Sequence, residues 1–190
     1  MGDLIIKPAS SGNLKIQDQG GTERISLNTS GLTTFAANVA LSDTMTGGTL
    51  ASAVTFPAGH VLQVVSNSSS SNITTTSTSY QASGVNVSIT PISTSNKILI
   101  MCNSGSMDYS GTASTIDLSL YKDGTSLKKF SSVSFQGGEK GSRPFVYLDS
   151  PSTTSSTTYD IYFKSGNGSQ TAYLNETTGT VSIVAMEIQG

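Results

Sequence analysis

The chain has 190 residues, a formal net charge of −2 at pH 7 and only 12% charged residues, about half the ~25% usual for soluble domains. Ser and Thr make up nearly a third of it, a composition that suits exposed strand faces and turns and suits helices poorly. The balance supplies no basic face for nucleic acid or an anionic membrane, and a single cysteine, Cys102, excludes an intrachain disulfide.

In chain order, residues 1–42 have a texture of their own. Leu4–Lys7, Leu14–Gln17, Arg24–Leu27, Leu32–Phe35 and Val39–Leu41 are short alternating runs at roughly ten-residue spacing, most of them closed by a Gly-bearing turn. Each offers two or three aliphatic side chains, too few for one chain to bury alone. The pattern predicts a repetitive β stalk in which three copies wind together, with an ordinary meander as the alternative. Nothing at the N-terminus reads as a signal peptide, and no apolar stretch approaches the ~20 residues of a membrane helix. Residues 43–59 read as a connector broken by Gly47, Gly48 and Pro57, with one helical turn expected at Thr49–Val54.

From His60 onward, about ten short strands follow one another with turn signals at sandwich-like spacing. His60–Val65 is apolar on both faces, Val61 and Val65 sharing one and Leu62 and Val64 the other. Ser66–Asn72 reads as a polar loop and Ile73–Tyr80 as a surface strand. Val85–Ile89 alternates cleanly, and Lys97–Cys102 is the most continuously apolar strand, with Cys102 expected as a buried structural thiol. Ser104–Gly111 reads as a turn. Ile116–Leu120 and Ser126–Val133 flank Lys122–Thr125, whose Asp-Gly pair suits a type I′ hairpin. Gln136–Ser142 is a Gly-rich loop and Arg143–Leu148 a strand. A polar loop then leads to Tyr159–Lys164, Gln170–Leu174 and Val181–Ile188.

The last strand organises the rest. Val181, Ile183 and Ala185 point one way, and Val184, Met186 and Ile188 the other. One sandwich core covers only one of these faces. The pattern therefore predicts an all-β, antiparallel jelly-roll sandwich over residues 60–190, with Ile98, Ile100, Ile116, Leu118, Leu120, Ile161 and Phe163 in the core. It also predicts a homotrimer whose axis is lined by Val61, Val65, Val184, Met186 and Ile188.

Several segments resemble joins that recur in phage fibre proteins, particularly those of marine phages. They are Phe56–Val65, Val87–Pro91 with Ser95–Leu99, Leu148–Pro151 with Thr154–Tyr159, and Val184–Ile188. Gly12–Asp18 with Gly21–Ile25 is similar to the β-repeat stalks of such fibres. The resemblance spans nearly all of the chain and is structural rather than chemical. It implies a trimeric fibre with a stalk and a jelly-roll head, the head similar to tumour-necrosis-factor or C1q-like trimers. It implies a non-enzymatic virion structural protein, a tail or head fibre on the phage particle surface. Its partners would be other virion proteins, bound through the N-terminal segment, and a host glycan or protein. The competing readings are a capsid decoration protein and a free carbohydrate-binding, lectin-like module.

The residues themselves suggest no chemistry. One histidine, His60, makes neither a zinc cluster nor a convincing Ser-His-Asp triad. The carboxylates Asp108, Asp117, Asp149, Asp160, Glu139, Glu176 and Glu187 form no spaced pair beside an aromatic platform for sugar, and there is no Trp. No catalytic residue, metal or cofactor is expected, nor any nucleic-acid partner or membrane insertion. Lys128, Lys129, Lys140 and Arg143 make residues 122–143 locally basic. This is either a solvated turn region or a surface that contacts an acidic partner.

Overall fold

The computed structural model describes residues 14–17, 19–27, 33–35, 57–111, 113–136, 139–176 and 179–190. The chain divides into two compact units, Met1–Val54 and Thr55–Gly190. In the first, β1 (Leu14–Gln17), β2 (Glu23–Leu27) and β3 (Thr33–Phe35) form an antiparallel meander, with Ile16 paired to Ile25 and Ile25 to Phe35. These are three of the five expected runs. The other two, and the helical turn expected at Thr49–Val54, lie outside the described residues.

The second unit is all-β, with no helix among the described residues. Its strands are β4 (Val61–Ser69), β5 (Ile73–Thr75), β6 (Gln81–Ile89), β7 (Lys97–Ser104), β8 (Asp108–Tyr109), β9 (Ala113–Lys122), β10 (Thr125–Gln136), β11 (Pro144–Asp149), β12 (Thr157–Ser165), β13 (Ala172–Leu174) and β14 (Val181–Ile188). Two four-stranded antiparallel sheets, ordered β11-β7-β14-β4 and β10-β9-β12-β6, pack face to face. The first and last long strands lie side by side in one sheet, as a jelly roll requires. A small sheet, β5-β13-β8, contributes Tyr109, Ala172 and Leu174 to the same core.

The core follows from strict alternation. Ile98, Ile100, Ile116, Leu118, Leu120, Ile161 and Phe163 are all at most 1% exposed, as are Val181, Ile183 and Ala185. Cys102 lies in the same layer, and burial pushes its thiol pKa well up, so it is an unreactive packing residue. Phe130 stacks on Phe145 at 3.6 Å and meets Tyr147 edge-on, joining β10 to β11 across one side of the sandwich. The β9–β10 hairpin turns at Asp123 and Gly124, with φ of 48° and 76°, the positive pair that a type I′ turn needs.

Several strands differ from the sequence reading: Asp108–Tyr109, read as part of a turn, form β8 against β13, and β6 begins at Gln81. β4 runs on to Ser69 because Ser66–Ser69 still pair with Val181–Val184. Residues 76–80, by contrast, leave the strand after Thr75. Ser77 turns the backbone by accepting from Ser79 N–H and donating to Ser79 C=O, the local competition with a ladder that Ser favours.

One buried charge ties together the end at which the chain enters this unit. Glu187 is fully buried, its carboxylate accepting from Asn96 Nδ2 and Gln63 Nε2, each at 2.5 Å, and from Ile92 N–H at 2.7 Å. Burial alone would raise its pKa. The donors outweigh that and hold it below the ordinary glutamate range. Nearby, Gly59 N–H donates to Gln189 C=O and Gln189 N–H to His60 C=O, closing the incoming chain onto the outgoing one.

Two outcomes follow. Leu118→Ala should cost roughly 2–5 kcal/mol in urea unfolding, and a cost within error would contradict its place in the core. The Glu187 carboxyl holds its proton less tightly folded than unfolded. Its contribution is therefore complete above the unfolded pKa of about 4.3 and is lost as the pH falls through the lower native value. Glu187→Gln should cost about 1–3 kcal/mol at neutral pH and show a shallower loss of stability on acidification than the parent. Parallel pH profiles would contradict this.

Candidate functional site

The two outer faces of the sandwich have opposite chemistry. On the sheet β11-β7-β14-β4, cross-strand pairing sets outward side chains in rows. Leu148 pairs with Leu99, Leu99 with Met186, and Met186 with Val64. Val146 pairs with Met101 and Met101 with Val184, and Ile188 lies opposite Val61. The first row is apolar across all four strands, about 15 Å at roughly 4.8 Å per strand spacing; the second is apolar over three strands and meets Ser66 on β4, and Ile188 has Lys97 on its β7 side. Val146 is 60% exposed, Val64 53%, Val61 51% and Leu148 50%. Further along, the face turns polar through Asn103, Ser182 and Ser68. The apolar half is therefore the half nearest the incoming chain at Gly59 and His60.

Of the five residues expected at a trimer axis, Val184, Met186, Ile188 and Val61 all belong to this face. Val65 does not. It lies opposite Ala185 and packs against the core, and Val64 takes the outward position. The cause is a register shift between Glu187 and Ile188, where β4 carries one extra residue and the alternation resets. The simple even-odd reading of Val61 and Val65 as one face cannot cross that bulge.

The outer face of β10-β9-β12-β6 is polar. Asp117, Ser119 and Tyr121 of β9, and Thr158, Asp160, Tyr162 and Lys164 of β12, point outward beside Ala82, Gly84, Asn86 and Ser88 of β6. Tyr121 and Tyr162 stack at 3.7 Å with 12° between their planes, and Tyr80 lies 6.0 Å from Tyr121. Lys164 sits over the Tyr80 ring and pairs with Asp117 at 3.3 Å. Burial would raise the Asp117 pKa, but hydrogen bonds from Ser132, Lys129 and Lys164 lower it overall. Asp160 faces no cation, and burial pushes its pKa up to about 6. The sequence reading does not foresee this tyrosine cluster. Tyr121 and Tyr162 are distant in sequence, and only the β9–β12 register brings them together.

The four basic residues expected to form one contact loop are dispersed. Lys128 is exposed on β10, and Lys129 pairs with Asp117 at 3.3 Å. Lys140 is held by Glu176 and by Asp108, its pKa raised first by the Glu176 hydrogen bond. Arg143 is exposed, and its N–H donates to Ser104 Oγ. Lys140, Asn103, Ser106, Ser142 and Thr180 line an open polar cleft of about 330 Å³, at the end of the sandwich away from Gly59. Among the described residues no group of three or more His, Cys, Asp or Glu is placed to hold a metal ion. Among them no helix is long and apolar enough to cross a membrane.

No protein-family model matches the chain, and no curated protein does. Among solved structures, it is similar to a chain in the structure of infectious bursal disease virus Gx strain. That match has 13% identity and a TM-score of 0.41, and covers 83% of this chain and 41% of that one. A chain of the T13 particle of the same virus matches with 14% identity, a TM-score of 0.40 and coverage of 82% and 45%. A chain of its Gt strain matches with 14% identity, a TM-score of 0.35 and coverage of 83% and 49%. This chain thus spans less than half the length of each of the three, and the functional argument rests on its own two sheet faces.

Proposed function

We propose that the protein is a non-enzymatic virion structural protein, a homotrimeric phage fibre whose jelly-roll head meets a host surface. The apolar half-face on β11-β7-β14-β4 carries this reading. It places Leu99, Met101, Val184 and Met186 in the middle of a sheet and the more exposed Val64, Val146 and Leu148 on its two edge strands. A protein acting alone rarely leaves a contiguous patch of this kind in water. Its position supports self-association: the opposite sheet face is polar, so only one side of the sandwich calls for cover.

The two edges of the apolar sheet differ in sequence, β11 on one side and β4 on the other. A ring in which each copy offers one edge to the face of the next suits such a sheet and closes on itself. The virion setting and the fibre role come from the sequence resemblance carried by Phe56–Val65, Leu148–Pro151 and Val184–Ile188. The N-terminal runs would serve as stalk and as attachment to other virion proteins.

Each buried Met or Ile on the face contributes roughly 1.5–3 kcal/mol, and symmetry repeats the contact in every copy. Met186→Asp would bring carboxylates together in a dry interface, where they persist only by taking up protons. The parent should show three times the chain mass by light scattering. Met186→Asp should dissociate or fail to assemble, while Lys128→Asp on exposed β10 should keep the parent mass. A monomeric or dimeric parent, or a Met186→Asp protein that stays trimeric, would overturn the reading.

A further inference from the structure

The turn that follows β12 exposes a side chain in a reactive setting. Of the chain's ten asparagines, only Asn167 precedes a glycine. Asn167, Gly168 and Ser169 are all exposed. With no Cβ, Gly168 leaves its own backbone nitrogen open to the Asn167 side chain. Asn167 Oδ1 accepts from Ser169 N–H at 3.0 Å, which polarises the carboxamide and stabilises negative charge developing on that oxygen. Among the described residues nothing accepts a hydrogen bond from Asn167 Nδ2 or from Gly168 N–H. The amide nitrogen that would leave and the backbone nitrogen that would attack are both unheld.

Other asparagines of the head are restrained. Asn67, Asn96 and Asn175 donate from Nδ2 to Asn86 C=O at 3.0 Å, Glu187 Oε1 at 2.5 Å and Ser70 C=O at 2.7 Å. Asn103 precedes Ser104, which is fully buried and whose N–H donates to Arg143 C=O at 3.3 Å. Asn86 precedes the buried, β-branched Val87.

We propose that Asn167 is a site of spontaneous covalent modification, where the side-chain amide converts to aspartate and isoaspartate. Gly168 N attacks Asn167 Cγ and the new C–N bond closes a succinimide. Nδ2 leaves as ammonia, taking the Gly168 proton. Water then opens the ring, giving aspartate at the former side-chain carbonyl and isoaspartate at the main-chain carbonyl. In isoaspartate the chain runs through Cβ and Cγ, and the former Asn167 C=O becomes a pendant carboxylate. That carbonyl accepts from Gln170 N–H at 3.0 Å and lies 2.7 Å from Ser165 Oγ. Ser165 N–H in turn donates to Ser77 C=O at 2.8 Å. Isoaspartate therefore loosens this turn and adds a negative charge to it. Asn167 lies outside the apolar face, so the chemistry does not depend on how copies assemble.

The test is ageing of the full-length protein at mildly alkaline pH and physiological temperature, followed by peptide mass spectrometry. Asn167 should gain the mass difference between amide and acid in two separable products, with Asn67 and Asn103 of the same sample unchanged. Gly168→Ala should fold as the parent does, because a Cβ there meets only Thr78 Cγ2 at 3.5 Å and Thr76 C=O at 3.7 Å. It should slow conversion by about tenfold or more. Amide hydrogen exchange across residues 165–170 should quicken in the aged parent, while Asn167→Asp, which adds the charge without lengthening the chain, should exchange like the fresh parent. The proposal is overturned if Asn167 converts no faster than Asn67 or Asn103, or if folded Gly168→Ala converts within about twofold of the parent. Exchange in the aged turn that matches the fresh parent would overturn the loosening.

Discussion

The structure depends on a constraint carried by one strand. Successive side chains of a strand alternate faces, and β14 is apolar on both. Val181, Ile183 and Ala185 fill the core, while Val184, Met186 and Ile188 form the spine of the opposite face. Because β14 lies between β7 and β4, its outward residues are joined by Leu99 and Met101 on one side and Val64 on the other. The jelly-roll order is what makes the patch continuous, by bringing the first and last long strands together. The fold and the candidate assembly surface are thus two consequences of one alternation.

The sandwich itself is legible in the sequence wherever alternation runs without interruption. Ile98, Ile100, Ile116, Leu118, Leu120, Ile161 and Phe163 are core residues because each lies on an unbroken period-two run between turn signals. The reading falters where the period breaks. A single register shift opposite Glu187 and Ile188 sends Val65 inward and Val64 outward. Local serine hydrogen bonds around Ser77 end a strand that a run of threonines suggested. Neither event has a composition signature, since a bulge moves faces without changing residue types.

The polar face was hidden for a different reason. Tyr80, Tyr121 and Tyr162 come from separate parts of the chain, and their cluster exists only through the pairing of β9 with β12. The same distance in sequence misled in the opposite direction for the basic residues. Lys128, Lys129, Lys140 and Arg143 are close along the chain, yet Asp117 draws off Lys129, and Asp108 and Glu176 draw off Lys140. Charge proximity along the chain is a poor guide where strands supply partners from elsewhere. The result is a sandwich with two unlike outer faces, one half apolar, the other polar and carrying the tyrosine cluster.

The central claim is that the apolar half-face is covered in solution, and hydroxyl-radical footprinting of the intact protein tests it most directly. In a lone chain Leu148, Val146 and Val64 are 50%, 60% and 53% exposed, and Ile92, on the loop before β7, is 68% exposed and serves as an internal reference. The account predicts that Leu148, Val146 and Val64 are protected to nearly the level of the core while Ile92 is freely labelled. Labelling of the three face residues in proportion to their lone-chain exposure, alongside Ile92, would contradict it.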